Sequence, residues 1–162
     1  MMMYGFEIEK MLKSCYALKN LAVVLCSYEE DILPPKQLPT VYIINSDPAG
    51  VSKTEHWFAI FVTDMKDVYY FDPLGLILNP IYLKIKKWKG DFGEMVYNKQ
   101  LIQNPFSYAC GLYCVCFSYW MTIGLSFCAF LELFSTDVVS NDRLIEDLFY
   151  TIVDDGKWKK TK

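Results

Sequence analysis

Hydrophobic positions along the chain follow two different periods, and the changes between them mark its elements. Alternation and short continuous apolar runs mark strands at residues 21–27 (LAVVLCS), 40–47 (TVYIINSD), 56–62 (HWFAIFV), 68–72 (VYYFD) and 94–98 (EMVYN). The run 56–62 is apolar on both alternating sets of positions, as a strand covered on both faces must be. Only TDMKD separates it from 68–72, so these two strands pair as a hairpin. Helical spacing recurs over residues 6–14, with Phe6, Ile8, Met11 and Leu12 near one side. It recurs again over 80–89, from about Cys110 to Ile123, and over 127–134. The last helix carries Leu144, Ile145, Leu148, Phe149 and Ile152 on one stripe, with Asn141 as its expected N-cap. Three prolines deny residues 29–39 (EEDILPPKQLP) a ladder, and 48–55 (PAGVSKTE) reads as a polar loop. A helix, then strands, then helices predict one α+β domain over residues 1–162: a central, mainly antiparallel sheet with helices packed around it.

Composition agrees with a packed globule: 53% of residues are hydrophobic and 17% aromatic, which excludes a disordered chain. Between Cys110 and Phe134 the only charge is Glu132, a stretch long enough for a membrane span by hydropathy alone. Gly124 and Ser126 interrupt it, and Ser118, Tyr119 and Thr122 dilute it, so two buried helices joined at IGLS are expected instead. The start, MMMYGFEIEKMLK, carries Glu7, Glu9 and Lys10 where a secretory leader needs an unbroken apolar core. The six cysteines show no CxxC pairing. An intracellular, reducing setting is therefore expected rather than secretion. With a single histidine in the chain, neither a metal nor a cofactor is predicted. The net charge of -3 gives no global attraction to nucleic acid. Lysines do gather at Lys84, Lys86, Lys87 and Lys89 and at Lys157, Lys159, Lys160 and Lys162. Such runs read first as solvated faces and second as weak nucleic-acid contacts.

Candidate chemistry centres on QNPFSYACGLYC, residues 103–114. A cysteine nucleophile needs its thiolate, which a helix N-terminus and an adjacent imidazole both favour. Cys110 opens a helix, and His56 is the one imidazole available. His56 begins the buried strand, so its ring can lie at a sheet edge. Asp72 closes the partner strand sixteen residues later, which brings both side chains to the same end of the hairpin. There a carboxylate can accept the ring N–H and fix its tautomer. Taken alone, FDPLG is an Asp-Pro turn with an Asx bond. Gln103, seven residues ahead of the Cys-Gly pair, offers an amide that could join the Cys110 backbone N–H around an oxyanion. Gly111 would let a substrate backbone approach closely. Cys114, one turn further on, reads as core packing, like the remaining cysteines.

The ordered set of HW, YFDPLG and a glutamine seven residues before CG resembles the adenovirus-type maturation cysteine proteases, the adenain-like family. It looks closer still to relatives encoded by Polinton/Maverick elements and small double-stranded DNA viruses, with SUMO and ubiquitin-like deconjugating proteases as distant kin. The resemblance runs from residue 38 to the last helix and rests on INSDP, HWFAIFV, YYFDPLG, LIQNPFSYACGLYC and SNDRLIEDL. It implies a papain-like architecture of the adenain type, and a thiol endopeptidase with Cys110 as nucleophile and His56 as general base. It further implies Asp72 as orienting acid, where the adenovirus enzyme has glutamate and the deconjugating proteases aspartate, and Gln103 as oxyanion donor. Trp57 would wall a narrow channel that admits glycine or small residues before the cut bond. The implied substrate is a capsid precursor, met in the host nucleus, virus factory or virion by a monomeric enzyme with no membrane contact. The family's best-known member is assisted by a disulfide-linked peptide and by DNA; an activating peptide or DNA is thus an open partner, the acidic balance fitting DNA less well. Two alternatives stand beside this one: a protease removing a ubiquitin-like modifier after its Gly-Gly tail, and a catalytically silent protein that binds capsid or DNA.

Overall fold

The computed structural model describes residues 1–46 and 56–153. Five strands, β1 (Ala22–Ser27), β2 (Thr40–Asn45), β3 (Trp57–Val62), β4 (Val68–Phe71) and β5 (Met95–Tyr97), form one sheet in chain order. The helices are α1 (Gly5–Ser14), α2 (Asn79–Lys86), α3 (Cys110–Thr122), α4 (Phe127–Leu131) and α5 (Val138–Ile152), with a short 3-10 turn at Tyr16–Leu18. The class is α+β with helices packed around a central sheet, as the hydrophobic pattern predicts. The central pairs β2–β3 and β3–β4 are antiparallel, whereas the outer pairs β1–β2 and β4–β5 run parallel. Both parallel pairs join strands linked by long segments, 28–39 and 72–94, which supply the crossover that a parallel neighbour requires.

Strand alternation sorts the core into two layers. Trp57, Ala59 and Phe61 of β3 point to one face with Val41, Ile43 and Phe71. Phe58, Ile60 and Val62 point to the other with Tyr42, Ile44 and Tyr70. The first face carries α1, α3 and α5; the second carries Ile81 and Ile85 of α2. The double coverage explains why HWFAIFV lacks a polar side. Rings fill the α3 layer closely: Phe71 stacks on Phe117 at 4.9 Å between centroids and meets Phe130 edge-on at 5.3 Å. Each such buried ring contributes roughly 1.5–3 kcal/mol relative to exposure.

Three helix boundaries differ from expectation by three residues or more. The last helix starts at Val138, not after Asn141, because Asp137 accepts the Val139 and Ser140 N–H groups at 3.1 and 3.3 Å. Asn141 lies buried inside the helix, where its amide donates to the Ile102 and Ser135 carbonyls. The helix expected over 80–89 spans Asn79–Lys86, and the one expected over 127–134 ends at Leu131. The expected loop at 48–55 lies outside the described residues. Among the described residues no helix is long and apolar enough to cross a membrane.

Candidate active site

The β3–β4 register decides where His56 and Asp72 meet. Ala59 pairs with Phe71, so one further step of that ladder sets Phe58 opposite Asp72, with His56 two residues beyond on the same rim. The His56 ring Nε2 lies 2.9 Å from Asp72 Oδ1 and donates to it. Asp72 is only 1% exposed, so its charge is met by protein donors rather than by water. The same Oδ1 accepts the Leu74 N–H at 2.8 Å, and the Gly75 N–H closes the turn onto the Asp72 carbonyl at 2.8 Å. Both meanings of FDPLG therefore hold at once: the Asx turn fixes the carboxylate that receives the imidazole. Gly75 is obligatory there, since its φ is +69° and a Cβ would stand 2.6 Å from the Gln100 carbonyl oxygen.

A side chain that the sequence reading passed over completes the support. Asn98, just past the end of β5, accepts the Asp72 N–H at 2.9 Å and donates to the Asp72 carbonyl at 2.6 Å. Its amide thus continues the β4–β5 ladder by one step beyond the Tyr70–Tyr97 pair. The only sequence signal was an asparagine ending an otherwise strand-like run.

Cys110 is the first residue of α3, where backbone N–H groups lack intrahelical partners and favour negative charge. With Nε2 committed to Asp72, Nδ1 is the ring nitrogen left for sulfur, and the ring hydrogen-bonds the Cys110 side chain. Burial pulls the His56 pKa down, but the hydrogen bonds and charges of Asp72 and Cys110 outweigh it and raise the value to about 9 from 6.5. The imidazolium is hence the ordinary state of this ring at neutral pH. Cys110 is 5% exposed and sits in the wall of a cleft of about 340 Å³, together with His56, Leu74, Gln103, Phe106 and Tyr108. A larger recess of about 540 Å³ lies between α2 and β5, but it holds neither a thiol nor an imidazole. Chemistry, not volume, selects the smaller one.

Gln103 reaches the cleft because its N–H and that of Ile102 both donate to the Pro73 carbonyl at 2.9 Å, docking its loop on the Asp72 turn. Its side chain is oriented differently from expectation. Nε2 donates to the Ser107 carbonyl at 3.0 Å, and the buried Oε1 has no partner. Gly111 and Trp57 are also set differently. A Cβ on Gly111 would stand 2.9 Å from Met3 Cβ and 3.2 Å from Ile8 Cδ1, so the glycine makes room for the N-terminal segment and α1. The Trp57 ring is buried, its tip against Gly5, and it is absent from the cleft lining.

The other cysteines are peripheral to this cleft. No disulfide joins any of the six. Burial pushes the Cys114 and Cys116 thiols far up, and burial with the neighbouring Glu30 carboxylate pushes Cys26 to about 11. Among the described residues no cluster of three or more His, Cys, Asp or Glu side chains could hold a metal. Of the first lysine patch, Lys86, Lys87 and Lys89 are exposed, while the Lys84 ammonium is spent on the Tyr28 and Glu30 carbonyls. The second patch lies outside the described residues.

No protein-family model matches the chain, and no curated protein matches it by sequence. Solved structures match it in fold. The chain is similar to the SUMO protease Ulp1 with its catalytic cysteine oxidised to a sulfonic acid, at 14% identity and a TM-score of 0.54 over 96% of this chain and 79% of that one. The sulfinic acid form of Ulp1 gives a TM-score of 0.53 at the same identity and coverage. The central domain of the uncharacterized Lpg1148 protein from Legionella pneumophila gives 0.51 at 12% identity, over 95% of this chain and 96% of that chain. The sheet and its surrounding helices are those of the Ulp1-type, papain-like cysteine protease fold.

Proposed function

We propose that this protein is a cysteine endopeptidase with Cys110 as nucleophile. The observation that carries the reading is the His56 ring held between the buried Asp72 carboxylate and the Cys110 sulfur, at a helix N-terminus that opens on a cleft. The Cys110 thiolate attacks a peptide carbonyl carbon, and the negative charge passes to the carbonyl oxygen. The Cys110 backbone N–H is one donor to that oxyanion, and the Gln103 amide becomes the second by exchanging its 3.3 Å contact with the Ser107 hydroxyl for the substrate oxygen. As the C–N bond breaks, the His56 imidazolium gives its proton to the leaving amine, and a thioester remains. His56, now neutral, takes a proton from water; the hydroxide adds to the thioester, and the acid and the thiolate are released. Asp72 holds the ring in one tautomer and orientation throughout.

The motif resemblance supports cleavage after glycine or small residues and a capsid precursor as substrate, with an activating peptide or DNA as partner. The likeness to Ulp1 supports a second reading, removal of a ubiquitin-like modifier from its conjugates. Two assays test these. A thiol-directed probe and a Gly-Gly peptide are presented to the wild type and to Cys110→Ala: labelling and turnover are expected in the first and neither in the second. Wild-type turnover by Cys110→Ala would overturn the assignment, and an unlabelled wild type would favour a silent binding protein. Faster turnover of a folded modifier than of short capsid-derived peptides would select the deconjugating reading.

A further inference from the structure

Phe106 stands at the lip of the cleft with 93% of its surface exposed, beside the half-exposed Tyr108 and the partly buried Leu74. Isolated surface apolar residues need no special account, but the backbone that carries this one is held in place. Its N–H donates to Asn104 Oδ1 at 3.1 Å, and the Ser107 N–H donates to the Asn104 carbonyl at 2.9 Å. The Gln103 amide grips the Ser107 carbonyl from the other side. Asn104 is anchored in turn: its N–H donates at 3.3 Å to Asp142 Oδ1 of α5, which also accepts the Tyr113 hydroxyl at 3.0 Å. Residues 103–107 therefore form a fixed bracket, and the backbone cannot readily fold the ring under. Among the described residues no lysine, arginine, aspartate or glutamate lines the cleft, so beyond the His56 ring its lip offers apolar and neutral polar surface.

We infer that Phe106 is a specificity-determining residue that selects substrates bearing an apolar side chain beside the scissile bond, with Leu74 and Tyr108 completing the contact. A ring carried on a fixed backbone next to the nucleophile needs no loop ordering to meet a substrate, and an apolar partner removes both surfaces from water. This assignment rests on the thiol endopeptidase reading.

The test uses the full chain and a library of proteome-derived peptides, with cleavage sites read by mass spectrometry for the wild type, Phe106→Ala and Phe106→Leu. The wild type is expected to cut where an aliphatic or aromatic residue occupies one fixed position beside the broken bond. Phe106→Ala should lose that enrichment, with kcat/KM for a preferred peptide falling about tenfold, mostly through KM. Phe106→Leu should recover most of it, and both variants should melt with the wild type because an exposed ring leaves no cavity. An unchanged preference in Phe106→Ala would overturn the assignment while leaving the peptidase intact. A wild type that cuts nothing in the library would overturn the endopeptidase reading and this one with it.

Discussion

Cys110 and Cys114 sit one turn apart on the same apolar helix, yet their surroundings differ in kind. Cys110 is the helix's first residue, hydrogen-bonded to an imidazolium in the wall of an open cleft. Cys114 is sealed in the core, where burial first, then the charges near it, push its thiol well above its ordinary value. A rise of roughly 6 Å along the axis exchanges unsatisfied N–H groups and a cationic neighbour for hydrocarbon. On the proposed reading, reactivity is a property of the helix's opening turn and its neighbours. The residue type supplies only the sulfur.

The largest way to break the contrast is to remove the cation. His56→Ala is expected to lower kcat/KM by about 10⁴-fold, with Asp72→Asn costing up to a similar factor. Iodoacetamide labelling of Cys110 at neutral pH should slow in both, and wild-type labelling rates in His56→Ala would erase the distinction. A smaller effect lies in pH. The folded His56 pKa, near 9, exceeds its ordinary 6.5, so the protonated ring stabilises the fold fully below pH 6.5, and that contribution is lost as pH rises through about 9. Urea midpoints for wild type and His56→Gln should therefore differ most below pH 6.5 and converge toward pH 9 and above; a constant gap would refute the raised value. The smallest effect sharpens the contrast from the other side. Cys114→Ala should destabilise by about 1–2 kcal/mol in denaturant unfolding and leave turnover within about twofold.

Much of this arrangement was legible before any coordinates. The double-sided apolar run at HWFAIFV and the short TDMKD turn made a hairpin the natural reading, and that hairpin alone sets His56 beside Asp72. Other features depend on contacts between distant segments, which local pattern does not encode. The parallel outer pairs follow from where residues 28–39 and 72–94 return to the sheet. The start of α5 escaped because two good capping residues lie four apart, and only the demand of the Ile102 carbonyl for a buried donor assigns Asn141 elsewhere. At Gly111 the missing side chain admits Met3 and Ile8, segments too distant for local pattern to announce. Phe106 and Asn98 left almost no trace, since an exposed phenylalanine and a strand-ending asparagine are commonplace in sequence.

The two-way grip of Asn98 on the Asp72 backbone ties the residue that carries the carboxylate to the slenderest margin of the sheet, a three-residue border strand. Margins of that kind fray before interiors melt. Warming would loosen the acid while the aromatic layer beneath α3 stayed intact, so on the proposed peptidase reading activity fades ahead of collapse.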